Sequence, residues 1–235
     1  MCPRSELSSS GRLPGVLKRC WRIFVVIHIP SEFPSVLPKL LSRVGNLPAK
    51  HGEDGDRYEP GTIYIAPPDR HMLVHRDGTL RVVRGPRENR HRPSVDPLFR
   101  SAAAAVGNRV IGVVLSGTLD DGTAGLIAIK QRGGIAIVQD PADALHPSMP
   151  QSAMEHVEVD YVLPLDEIPR KLSELIDAEV RMAAAAEPGE LMATAPGSPR
   201  RFPVPTAAEC YGKLMMIITH DFDAASATPS RPSRC

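Results

Sequence analysis

Residues 110–132, VIGVVLSGTLDDGTAGLIAIKQR, decide the fold. Val110–Leu115 is an apolar run without polar alternation, the pattern of a strand buried on both faces. Ser116 to Gly122 is a polar loop. Gly122–Arg132 has the composition of a helix and stops at Gly133-Gly134, where the chain can turn. Ile135–Gln139 then resumes as a strand. Strand, helix and strand at this spacing make a parallel crossover unit.

The same alternation extends in both directions. Ile23–Ile29 (IFVVIHI) is a second uniformly apolar run, stopped by Pro30. Ser35–Val44 is helix-like despite its proline, and Gly61–Ala66 is a strand. His71–Val74 and Leu80–Val83 flank an Asp77-Gly78 turn and predict a hairpin. Asp96–Val106 is a helix in which Asp96 is the expected N-cap and Pro97 the first helical position. A short helix over Ser152–His156, a strand at Tyr161–Leu163 and a helix over Leu165–Val180 complete the body. The expectation is an α/β class with a doubly wound, mostly parallel sheet.

Composition bounds the rest. The chain has 235 residues, of which 42% are hydrophobic and 23% charged, a globular balance. Aromatics at 4% leave the core to aliphatic side chains. A net charge of +1 excludes a globally basic nucleic-acid binder. No run reaches the ~18 apolar residues of a membrane helix, and residues 1–21 lack the apolar centre of a secretory signal. The cytoplasm is therefore the expected compartment, with no membrane insertion. Cys2, Cys20, Cys210 and Cys235 all lie outside the body and lack metal-ligand spacing, so neither a disulfide scaffold nor a metal is expected. The expected divisions are a non-matching segment at 1–21, the body at 22–181, an Ala/Pro/Gly-rich linker at 182–201 and a disordered tail at 202–235.

Ligands of open α/β sheets bind outside the carboxyl ends of the strands. Two polar clusters fall there. His28 ends the IFVVI run, and the Ser116–Thr123 loop carries Asp120 and Asp121. A histidine ending a buried strand is more often structural, and paired acids before a helix serve equally as cap and dipole partner. Together, however, they are the types that form the base and orienter of a Ser-His-Asp triad.

These residues resemble the chemotaxis protein-glutamate methylesterases, the CheB family. The matching stretches are FVVIHIP, GTIYIAPPDRHMLV, ENRHRPSVDPLFRSAA, GVVLSGTLDDGTAGL and VLPLDEI, in order across the body. The resemblance implies a Rossmann-like methylesterase fold, with His28 as triad base and Asp121, not Asp120, as triad acid. It implies no cofactor. It also implies a methyl-accepting chemotaxis receptor as partner, whose glutamate methyl esters are hydrolysed and whose glutamines can be deamidated. It further implies a hydrolase of a signal-transduction phosphorelay, in the stand-alone form without a receiver domain. Thr118 and Leu119 stand where the family usually has Met and a small residue.

The nucleophile is the main departure. The family's G-x-S-x-G-G segment is absent from the 235 residues. Ser8, Ser9 and Ser10 follow no apolar strand, and the family does not use Ser94 or Ser116. The expectation is a domain whose opening βα unit is lost, leaving apolar sheet surface uncovered. Regrouping the codons of Pro203–Lys213 permits C-P-D-C-G-G-V-L-W-E, a tail of stand-alone members, so residues after about 202 are expected to be frame-shifted. The alternative is a catalytically inactive, receptor-binding remnant. Eight arginines between Arg70 and Arg100 (70, 76, 81, 84, 87, 90, 92 and 100) face either an acidic partner or neighbouring carboxylates.

Overall fold

The computed structural model describes residues 21–28, 35–45 and 47–175, together with the backbone of 214–219. Ser8–Ser10, the expected linker and the rest of the tail lie outside these residues. The strands are β1 (Arg22–Ile27), β2 (Ala49–His51), β3 (Thr62–Ile65), β4 (His71–Val74), β5 (Leu80–Val83), β6 (Val110–Val114), β7 (Ile135–Gln139), β8 (Tyr161–Leu163) and β9 (Leu214–Thr219). The helices are α1 (Leu37–Val44), α2 (Val95–Val106), α3 (Thr123–Lys130), α4 (Ser148–His156) and α5 (168–175). Seven strands form one sheet in the order β2-β3-β1-β9-β6-β7-β8, and β4-β5 is the separate antiparallel hairpin. Every pairing within the large sheet is parallel.

Strand alternation explains why both faces are apolar. Phe24, Val26, Tyr64, Val110, Val114 and Val138 pack in one core with residues of α2, α3 and α4. Ile23, Val25, Ile65, Ile111, Val113 and Ile137 pack in the other with α5 and the inner side of α1. This is the doubly wound α/β arrangement.

Four features differ from the sequence expectation. The edge strand β2 has no apolar run of its own and exists through its pairing with β3. Helix α4 starts at Ser148 rather than Ser152, because Pro150 falls in the first turn, where its missing N–H costs nothing. Helix α2 starts at Val95 with Ser94 as N-cap, so Asp96 lies inside the helix and its carboxylate is used elsewhere. Finally, the tail contributes β9, which occupies the middle of the sheet instead of leaving it open. Its stretch LMMIIT is apolar, uncharged and proline-free over five residues, which suits a central strand.

Helix α2 packs tightly on α3 and β6. A Cβ on Gly125 would run into the Cβ of Phe99, which cannot swing away. A Cβ on Gly112 would lie 2.7 Å from Ile129 Cδ1 and Leu126 Cδ2, the movable tips of their side chains. Gly125→Ala is therefore expected to cost about 2–3 kcal/mol, the upper part of the overpacking range. Gly112→Ala is expected to cost less, and urea midpoints of the two variants compare them directly.

Candidate active site

His28 follows the last residue of β1, and Asp121 lies in the loop that leads from β6 into α3. Their backbones are not on adjacent strands, since β9 separates β1 from β6. The loop reaches across, and His28 Nε2 sits 2.8 Å from Asp121 Oδ2. Both side chains are buried, Asp121 completely. A ring nitrogen facing a carboxylate carries the proton, which puts the lone pair of neutral His28 on Nδ1.

Asp121 accepts four further hydrogen bonds. Val95 N–H donates to Oδ2 at 2.8 Å, and Asp96 N–H to Oδ1 at 3.2 Å. Ser94 Oγ donates to Oδ1 at 2.7 Å and Asn89 Nδ2 to Oδ1 at 3.1 Å. The two amides are the first of α2, so the positive end of that helix points at the carboxylate. Burial raises the Asp121 pKa, but the His28 hydrogen bond and charge and the Val95 and Ser94 donors hold it below the ordinary carboxylate value.

Asp96 links this site to α3. Its Oδ1 accepts from Gly122 N at 3.1 Å and Gly125 N at 2.7 Å, and its Oδ2 from Asn89 Nδ2 at 2.8 Å. Asp96 thus occupies the start of α3, where Asp120 was expected to cap, and Asp120 is exposed. Gly122 sits there at φ +95°, a left-handed conformation that glycine adopts without a Cβ penalty. Leu119 takes a left-handed φ of 65° in the same loop. The imidazole of His91 stacks on that of His28, with centroids 3.8 Å apart and planes 6° from parallel.

Burial and the nearby Asp121 push the Asp96 carboxyl up to about 6. The two acids then act on stability in opposite directions. A raised folded pKa means that the Asp96 contribution is present at low pH and lost as pH rises from about 4 through 6. The lowered Asp121 pKa means that its contribution is present above about 4 and lost as pH falls further. Asp96→Asn is expected to remove the decline between pH 4 and 6, measured as urea midpoints against pH. A carboxyl-carbon NMR titration placing Asp96 below pH 4 would contradict this.

Ser94 and Ser116, both considered from the sequence, have other partners. Ser94 Oγ donates to Asp121, and Ser116 Oγ accepts the His146 N–H at 2.9 Å. Ser116 N in turn donates to Gln139 Oε1, so this segment is tied to β7. Four of the eight arginines hold carboxylates: Arg81 with Asp54, Arg84 and Arg92 with Asp69, and Arg100 with Glu88. Sequence reading missed Asn89, Asp96, Ser94 and His91 as members of the site. Their signal was the dense polar run NRHRPSVD, which lies within one of the matching stretches. Among the described residues no cluster of His, Cys, Asp and Glu has metal-binding geometry, and no helix is long and apolar enough to cross a membrane.

Comparison with known proteins agrees with this architecture. Residues 13–172 match the family described as CheB methylesterase. A Geobacter metallireducens protein named protein-glutamate methylesterase/protein-glutamine glutaminase 1 is 39% identical over 153 residues, 64% of this chain and 42% of that protein. A Leptospira interrogans relative, whose name carries the same two activities, is 40% identical over 146 residues, 62% of this chain and 76% of its own length. The crystal structure of the Thermotoga maritima CheB methylesterase catalytic domain superposes with a TM-score of 0.65 at 35% identity, covering 68% of this chain and 86% of that one. The shared fold and the residues matched place this chain in the CheB methylesterase family.

Proposed function

We propose that this chain carries the acid–base half of a protein-glutamate methylesterase. In this reading a hydroxyl attacks the γ-carbonyl of a glutamate methyl ester on a chemoreceptor. His28 Nδ1 takes the hydroxyl proton and returns it to the departing methoxide, which leaves as methanol. Water, deprotonated by the same nitrogen, then attacks the acyl carbon; the bond to the enzyme oxygen breaks, that oxygen recovers its proton from Nδ1, and the glutamate carboxylate is freed. Deamidation of a receptor glutamine follows the same course, with ammonia as the leaving group. Asp121 holds the imidazole in its Nε2–H tautomer and stabilises the imidazolium. The observation that supports these roles is the buried 2.8 Å contact between His28 and Asp121. The same reading puts the chain in the cytoplasm.

The hydroxyl is the element this reading lacks, because no G-x-S-x-G-G segment occurs in the sequence. The purified chain is therefore expected to release methanol from a methylated receptor at least about 10³-fold more slowly than the Thermotoga maritima catalytic domain. A comparable rate would refute this. If a residual rate is measured, His28→Ala should reduce it.

The inactive receptor-binding reading draws on the exposed Arg70, Arg87 and Arg90, which precede α2 in the chain. Retention on methylated receptor without methanol release, weakened by added salt, favours it over a slow esterase.

A further inference from the structure

The sheet consists of two three-stranded halves, β2-β3-β1 and β6-β7-β8, which share no ladder with each other. Among the described residues, strand β9 alone joins them. Its Leu214–Thr219 pairs with Arg22–Ile27 over six positions on one side, and its Leu214–Ile217 with Val110–Val113 over four on the other. One half ends in His28, and the other runs into the loop that bears Asp121. The two members of the buried pair thus belong to halves held apart by a strand from a remote part of the chain.

We propose that the space between β1 and β6 is a strand-acceptor site, that its occupant is this chain's own Leu214–Thr219, and that insertion of this strand sets the spacing at which His28 meets Asp121. The inference stands apart from the esterase chemistry.

With β9 in place, Phe24, Val26, Ile111 and Val113 beside it are each at 0% exposure. Without β9 the ladder N–H and C=O groups of β1 and β6 that it now pairs lose their partners along two facing edges. Strand addition satisfies both rows at once through backbone bonds that any extended segment can make. An apolar segment free of charge and proline suits a slot with a core on either side, and LMMII has that character. Lastly, β1 and β6 stand two strand spacings apart, about 9.5 Å. Closing the gap by direct pairing moves one half by about 4.8 Å relative to the other. A hydrogen bond of 2.8 Å does not survive such a shift.

The test uses the full chain. Met216 pairs with Phe24 on one side and Gly112 on the other, so Met216→Pro removes a ladder donor from the middle of β9. Amide exchange of Arg22–Ile27 and Val110–Val114 is expected to accelerate on the order of 100-fold, while the β4-β5 hairpin keeps its protection. The Nε2 proton resonance of His28 should disappear with it. Unchanged exchange in β1 and β6, with the His28 resonance retained, overturns the proposal. If the variant unfolds throughout, a nicked chain decides. A protease site is introduced within residues 190–198, the folded protein is treated with that protease, and the fragment bearing β9 is followed by gel filtration. Its co-elution with the body until denaturant is added supports the proposal, as does release accompanied by loss of the His28 resonance. Release with that resonance intact overturns it.

Discussion

Asp121→Ala is expected to destabilise the fold by about 4 kcal/mol or more, in the range reserved for the loss of a buried polar network. The carboxylate accepts from His28, Ser94, Val95, Asp96 and Asn89. An alanine strands the His28, Ser94, Val95 and Asp96 donors in a buried site, while the half-buried Asn89 keeps its bond to Asp96, and each stranded donor costs about 1–3 kcal/mol, with imperfect additivity. It also removes the anion facing the start of α2. Asp121→Asn keeps the volume and one acceptor oxygen, so it should recover part of the loss. Urea unfolding followed through Trp21, a buried residue and the only tryptophan in the chain, provides the measurement. A loss of only about 0.5 kcal/mol for Asp121→Ala, the size typical of a surface position, would contradict the network described above.

Phe99→Ala carries the second large effect, about 3–5 kcal/mol. Phe99 is fully buried where α2, α3 and β6 meet. Gly125 and Gly112 make room for its ring, so nothing larger than hydrogen stands ready to fill the cavity. The helices it joins supply both the amides on Asp121 and the turn that presents it. A measurable weakening of the His28–Asp121 contact should therefore accompany the lost stability, seen as a shift of the His28 Nε2 proton resonance. Leu145→Ala, at a residue 72% exposed, serves as control and should change stability by no more than about 0.5 kcal/mol.

Much of the scaffold was legible because its signals are local. Strands β1, β6 and β7 are short apolar runs, and a strand buried on both faces has no other way to look. The helices α2 and α3 follow from composition and from the glycines and prolines around them. Their ends were less legible. Asp96 has the residue type of an N-cap, but Ser94 takes that position and the Asp96 carboxylate turns to Gly122 and Gly125, 26 and 29 residues further along the chain. Nothing local distinguishes those two uses of an aspartate. The three-residue β2 was invisible for a related reason: its stability comes from its neighbour β3.

The sequence by itself determined the α/β class, the family and the two residues that end on the same edge of the sheet, His28 and Asp121. These rest on patterns contained within stretches of a few to thirty residues, and such patterns survive without knowledge of what they pack against. Only the tertiary structure decided three further matters. It put β9, a short apolar run in a tail expected to be disordered, at the centre of the sheet. It committed several of the arginines to carboxylates of this chain. It gathered Asn89, Ser94 and the first amides of α2 around one buried oxygen pair. The physical reason is shared: backbone donors and acceptors shielded from water must be paired by whatever segment the fold brings near, and that choice depends on distance in space, not along the chain.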